Sequence, residues 1–209
     1  MKIKKSTIIT TLFLLIFMIL PCAADDGAAE VFYAFLDGLE EEGLIEEGGE
    51  IIHFEDYSNE LAQMRYYRWS PFTEAERFVM SAVISMDSAI ERPNYYDAGC
   101  GIVFNSLDKE NHLLISTRMD GYIYTTGYKY NTEFSYEKHK YGNVSPQKTF
   151  EFVMIADKSS VTVYIDGQRI FRNSGITSFG PKVGFAVLSG ANADFGTRCT
   201  FSDVYTYVW

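Results

Sequence analysis

The chain has 209 residues, 47% of them hydrophobic and 16% aromatic, and a formal net charge of −10. Residues 25–60 hold 13 Asp and Glu with no Lys or Arg, whereas residues 61–209 balance 15 acids with 15 bases. A neutral body behind an acidic N-terminal segment offers phosphates no electrostatic footprint, which excludes nucleic acid and anionic membrane surfaces as partners.

Lys2, Lys4 and Lys5 precede an apolar run and then Pro21-Cys22-Ala23-Ala24. This is the pattern of a secretory signal (1–24) cleaved after Ala24, and it places the protein outside the cytoplasm, secreted or in the cell envelope. Counted from Ile8 to Pro21, the run falls short of the roughly 18 residues that span a bilayer. Cys22 raises the alternative of a lipid anchor, but Pro21 stands where a lipoprotein signal needs Gly, Ala or Ser, so ordinary cleavage is preferred. Residues 25–209 suffice for one domain that buries about 70% of its unfolded surface.

Residues 25–50 form the acidic segment. Val31, Phe32, Phe35, Leu36 and Leu39 fall on one stripe of a helix over Ala28–Leu44, with Asp25 or Asp26 as cap and Gly43 as stop. The stripe either docks on its own domain or receives a partner. From residue 51 to 209 the period becomes that of strands: Ile51–Phe54, Met64–Trp69, Arg77–Met86, Gly99–Asn105, His112–Arg118, Tyr122–Tyr130, Thr149–Ala156, Val161–Ile165, Gln168–Phe171, Lys182–Leu188 and Thr200–Val208. Asp120-Gly121 and Asp166-Gly167 read as two-residue hairpin turns. About eleven strands without intervening helices predict an all-β, two-sheet antiparallel jelly-roll sandwich with a short N-terminal amphipathic helix. Cys100 and Cys199, an even pair in an exported chain, favour a disulfide over a metal site, the alternative being two buried free thiols.

Gly99–Phe104, the run through Asp120-Gly121, the Phe150–Phe171 segment with Val161-Thr162-Val163-Tyr164-Ile165-Asp166-Gly167, and Gly184–Val187 with the closing Cys199–Trp209 carry a resemblance. They resemble the concanavalin A-like lectin/glucanase superfamily, especially its laminin-G-like and 3-keto-disaccharide-hydrolase-like jelly rolls. The resemblance spans about three quarters of the chain and rests on core strands and glycines, so it implies the fold more than a function. It also implies calcium at a loop rim, but no ligand set maps onto this sequence; Asp97 and Asp194 have no supporting spacing, and no cofactor is assigned.

Retaining glucanases of this fold place two glutamates flanking an aspartate on one strand, because acid and nucleophile must lie about 5 Å apart. This sequence has no such strand. Glu55, Asp56 and Glu60 read as solvated acids, and His53, His112 and His139 sit in unlike contexts, the last in a Lys-rich loop. Tyrosine is what abounds. Tyr122, Tyr124, Tyr128 and Tyr130 share strand parity, with Arg118 and Asn105 at their margin and Trp69 in a second aromatic group with Tyr66 and Tyr67. An apolar ring with a hydroxyl suits stacking on a sugar or the centre of a protein interface. The sequence therefore predicts a secreted, non-catalytic module for a glycan or an envelope or extracellular protein. The alternative is a glycoside-processing hydrolase built from residues of separate strands.

Overall fold

A computed structural model describes residues 26–209. The expected leader with its cleavage point, and Cys22, lie outside the described residues. Helix α1 (Asp26–Glu41) opens the described chain. It stops because Gly43 takes a left-handed conformation, φ 67°. The Gly43 N–H then donates to the Glu40 carbonyl and the Leu44 N–H to the Leu39 carbonyl, each at 2.9 Å, which caps two of the orphaned last-turn carbonyls.

Thirteen strands follow: β1 (Glu50–Phe54), β2 (Tyr57–Leu61), β3 (Tyr66–Glu74), β4 (Arg77–Ser88), β5 (Gly99–Ser106), β6 (His112–Arg118), β7 (Tyr122–Lys129), β8 (Thr132–Lys140), β9 (Gln147–Asp157), β10 (Ser160–Ile165), β11 (Gln168–Ser174), β12 (Lys182–Ser189) and β13 (Thr197–Val208). They form two antiparallel sheets. The first has the order β1-β13-β4-β9-β10-β11, with β2 also paired to β13; the second has the order β3-β12-β5-β6-β7-β8. The expected two-sheet jelly-roll sandwich is what the chain forms.

The alternation seen in sequence sorts side chains between the sheets. Phe78, Met80, Ala82 and Ile84 of β4 and Phe150, Phe152 and Met154 of β9 meet Ile102, Phe104, Leu113, Ile115 and Ile123 of the facing sheet in one buried core. Cys100 on β5 and Cys199 on β13 point into the same layer and form a disulfide that ties the two sheets together, with Cα atoms 5.6 Å apart.

The apolar stripe of α1 docks on its own domain. Phe32, Phe35, Leu36 and Leu39 pack on Val79, Val153, Ile155, Tyr205 and Tyr207, which the outer face of the seven-stranded sheet supplies. The Tyr207 hydroxyl donates to the Glu46 carbonyl at 2.7 Å and so fastens the segment that follows the helix.

Two strands escaped the sequence reading. β2 and β8 are mostly polar and lie at the margins of their sheets, where backbone pairing alone defines them. His139 is therefore a strand residue and not part of a loop: it faces inward from β8 and stacks on Phe171 at 4.8 Å. The turns also differ in part. Asp166-Gly167 closes a two-residue hairpin between Ile165 and Gln168, as expected, whereas β6 and β7 are joined by three residues, Met119, Asp120 and Gly121.

Candidate binding face

The outer face of the six-stranded sheet collects one parity from each strand. From β3 come Tyr67 and Trp69, from β12 Gly184, Ala186 and Leu188, and from β5 Gly99, Gly101 and Val103. From β6 come His112, Leu114, Ser116 and Arg118, and from β7 Tyr122, Tyr124, Thr126 and Tyr128. Small residues pave the middle strands. Gly184 has no alternative, since a Cβ there would sit 2.6 Å from Trp69 Cε3. The Trp69 ring can lie down across the sheet only over a glycine.

This face is concave. Three strands separate β3 from β7, about 19 Å along a flat sheet. Register also puts Tyr67 in the row of Leu188, Gly99 and Arg118, at the opposite end from Tyr128. Yet the rings of Tyr67 and Tyr128 lie 5.2 Å apart. Only the twist accumulated over five strands brings diagonal corners together in this way.

Where they meet, Tyr67, Trp69, His112 and Tyr128 form one cluster. His112 stacks on Tyr128 at 4.9 Å, lies 5.7 Å from Trp69, and is hydrogen-bonded through Nε2 to the Tyr67 hydroxyl at 2.9 Å. Burial pushes the His112 imidazole down to about 4, so it is neutral at physiological pH. Burial likewise raises Tyr67 and Tyr128, with Glu133 opposing Tyr128 ionisation, so both keep their hydroxyl protons. Trp69 Nε1 is buried without a hydrogen-bond partner among the described residues.

The other end is built around Arg118, only 6% exposed. Its guanidinium lies 4.0 Å from the Tyr124 ring centroid and 4.8 Å from that of Tyr96. Nε donates to Ser116 Oγ at 3.1 Å and Nη1 to the Tyr96 carbonyl at 2.7 Å. The Tyr124 hydroxyl donates to Asp120 Oδ2 at 2.7 Å, and the Tyr122 N–H to Asp120 Oδ1 at 3.0 Å. Lys138 of β8 sits 5.2 Å over the Tyr122 ring.

Of the residues singled out in sequence, Tyr122, Tyr124, Tyr128, Arg118 and Trp69 share this face. Tyr130 does not. With Asn131 it makes the turn between β7 and β8 in a left-handed conformation, φ 52°, and it is 74% exposed. Asn105 leaves the face as well. At φ 48° its side chain swings to the end of the sandwich, where Nδ2 donates to the Lys158 carbonyl at 2.8 Å. His112 belongs to the face although the sequence gives it no site role, and Tyr67, grouped in sequence with Trp69 and Tyr66, joins it. His112 was detectable, since it shares the parity of Arg118 on β6. Tyr96 comes from a loop and carried no signal.

Asp120 and Glu133 lie beside opposite ends of β7, about six residues or roughly 20 Å apart along the strand. That exceeds the roughly 5–9.5 Å of glycosidase carboxylate pairs. Among the described residues no three His, Cys, Asp or Glu side chains gather as a metal set; Asp97 instead accepts from Asn94 and faces Arg65 at 3.7 Å. No described helix is long and apolar enough to cross a membrane. A shallow depression of about 260 Å³ lies on the other sheet, among Ser85, Asp87, Gln147 and Arg198, and none of its lining residues is aromatic.

No protein-family model matches the sequence, and no curated protein does. Solved structures do resemble the fold. A carbohydrate binding module, CBM66 from Bacillus subtilis, superposes with a TM-score of 0.52 at 11% identity, over 71% of this chain and 97% of that one. A beta-fructofuranosidase of Aspergillus kawachii complexed with glycerol gives 0.50 at 14% identity, over 76% of this chain but 27% of its own length. A Caenorhabditis elegans galectin gives 0.43 at 12% identity, over 70% and 94%. The likeness is one of fold, a two-sheet antiparallel jelly-roll sandwich.

Proposed function

We propose that this protein is an extracytoplasmic, non-catalytic module that binds a glycan on the concave face of the six-stranded sheet. The observation that carries the reading is the pair of aromatic groups at the two ends of one curved face. Tyr67, Trp69 and Tyr128 stand at one end and Tyr122, Tyr124 and Tyr96 at the other, all rigid rings with polar atoms beside them. Such surfaces stack on sugar rings and donate to hydroxyls, and they lose little conformational entropy on binding. The buried, unpartnered Trp69 Nε1 adds a donor that a ligand hydroxyl would satisfy after a small ring movement.

Three further observations support the reading. The carbohydrate binding module from Bacillus subtilis shares the fold along nearly its whole length. The disulfide suits an oxidising compartment and agrees with the leader read in residues 1–24. The wide separation of Asp120 and Glu133 argues against glycoside hydrolysis on this face.

The test is a glycan array probed with the wild type, Trp69→Ala and Tyr128→Ala. Binding of at least one glycan class by the wild type, weakened tenfold or more in both variants, is the expected result. Binding that ignores both substitutions would move the site elsewhere. No bound glycan, together with a defined protein captured from envelope extract through the same residues, would replace the glycan with a protein partner. Slow hydrolysis of any bound glycan would restore the hydrolase reading.

A further inference from the structure

We propose that the Arg118 end of this face is a subsite for the carboxylate of an acidic sugar, so that the ligand is a uronate-bearing polysaccharide. The inference rests on the glycan-binding reading and narrows it. Its starting point is a buried charge with no carboxylate within ion-pair distance among the described residues. Arg118 is 6% exposed, yet none of the ion pairs among the described residues includes it. Burying a guanidinium without an anion is costly, and such groups normally carry a paired carboxylate. Asp120, two residues along the chain, is already engaged by the Tyr124 hydroxyl and the Tyr122 N–H.

The surroundings hold Arg118 in readiness. Tyr124 and Tyr96 lie against the guanidinium, while Ser116 Oγ and the Tyr96 carbonyl fix Nε and Nη1. The remaining nitrogen, Nη2, has no described hydrogen-bond partner. A planar carboxylate approaching in the guanidinium plane meets that edge, the geometry in which arginine binds carboxylates best. Tyr122, only partly buried, lies alongside, so one sugar residue can stack on it and place its carboxylate at the arginine.

The charge of the whole molecule points the same way. The chain has a net charge of −10, and 13 of its acids lie in residues 25–60; α1, within that segment, packs on the opposite sheet. The Arg118 end carries instead Lys138, over Tyr122, and Lys140, opposite Tyr122 on β8, neither of them in an ion pair among the described residues. A polyanion that binds this acidic protein must find a local site, because the general field repels it.

The experiment titrates the full mature chain with polygalacturonate and alginate, and with the same polymers after chemical reduction of their carboxyls. It uses wild type, Arg118→Lys and Lys138→Met, each checked for an unchanged melting transition. At least one acidic polymer is expected to bind about tenfold or more tighter than its reduced form. That preference should be lost in Arg118→Lys, which keeps the charge but not the fork, and lowered about twofold in Lys138→Met. Should Arg118→Lys fail to fold, the reduced-polymer comparison and the exposed Lys138→Met decide alone. Equal binding of acidic and reduced polymers overturns the subsite, as does a preference for the acidic polymer that Arg118→Lys keeps in full. Neutral glycans bound while both uronates are ignored would sink the subsite and leave the glycan-binding face standing; no glycan bound at all would sink both.

Discussion

The two sheets use their outward faces in opposite ways. The seven-stranded sheet covers its apolar residues with a helix: Phe32, Phe35, Leu36 and Leu39 close over Val79, Val153, Ile155, Tyr205 and Tyr207. Among the described residues, the six-stranded sheet has only the long side chains of its own strands and one loop to cover Val103, Leu114, Ala186 and Leu188. On the first face, apolar contacts are made for folding and are complete within the chain. On the second, the cover consists of tyrosines, a tryptophan, a neutral histidine and an arginine without a carboxylate, groups whose hydrogen bonds and charge are not all met from within. A sheet face that must be buried can thus be finished by a helix or left for a ligand to finish, and the polarity of the cover tells which.

Truncating the helix side breaks this comparison with the largest effect. Leu36→Ala, at a residue only 4% exposed, should cost about 2–5 kcal/mol by urea unfolding, because the site on a sheet collapses poorly around a lost side chain. Its effect on ligand affinity should be nil once folded protein is compared. If affinity fell as well, the two faces would be coupled and the contrast drawn here would fail.

The next effect separates the faces by pH. His112 falls from its ordinary 6.5 to about 4 on folding, through burial. Above pH 6.5 it is neutral in both states and the stability is fully present. As pH falls from 6.5 toward 4, the unfolded chain takes up the proton and the folded one does not, so stability is lost by up to about 3 kcal/mol; below 4 the loss stops. Carboxylates titrate in the lower part of this range too. The measurement is therefore the difference between wild type and His112→Phe in unfolding free energy from pH 7 to pH 5. The variant should lose less stability over that interval, and parallel curves would show that the imidazole is not held neutral.

A smaller stability effect accompanies a large functional one at Tyr128. The ring is half-buried, stacks on His112 and meets Tyr67 at a tilt, so Tyr128→Ala should cost about 1–2 kcal/mol, well below Leu36→Ala. Its loss of glycan affinity should exceed that of any substitution on the helix side.

How far the sequence foretold this division depends on what each signal measures. Strand alternation in β4, β9 and β10 is set by the need to fill the inter-sheet core, so these strands and the disulfide were legible. β8 was not, since its pairing with β7 is made by backbone groups and its side chains are mostly charged or polar. The Tyr67–Tyr128 contact was illegible for a different reason. It joins residues sixty-one positions apart through sheet twist, and neither periodicity nor spacing encodes twist. Parity along β7 puts Tyr122, Tyr124 and Tyr128 on one face because that strand is unbroken, and Arg118, expected at their margin, joins that face from β6.

Parity failed at the strand end, and Tyr130 supplies the smallest and most specific test of that lesson. The even spacing from Tyr122 puts it on the stacking face only if β7 continues, but the strand ends at Lys129 and Tyr130 turns outward with φ 52°. A tyrosine in this left-handed turn position is mildly strained, whereas asparagine adopts it readily. Tyr130→Asn should therefore leave stability within about 0.5 kcal/mol, or raise it slightly, and leave glycan affinity within twofold, although it removes a whole aromatic ring next to the site in sequence. The check is a titration of the variant beside Tyr128→Ala with the same glycan. Equal losses in both would mean that the ligand reaches around the β7–β8 turn and that the binding surface extends past the concave face; an unchanged Tyr130→Asn beside a crippled Tyr128→Ala would fix the edge of the site at Lys129.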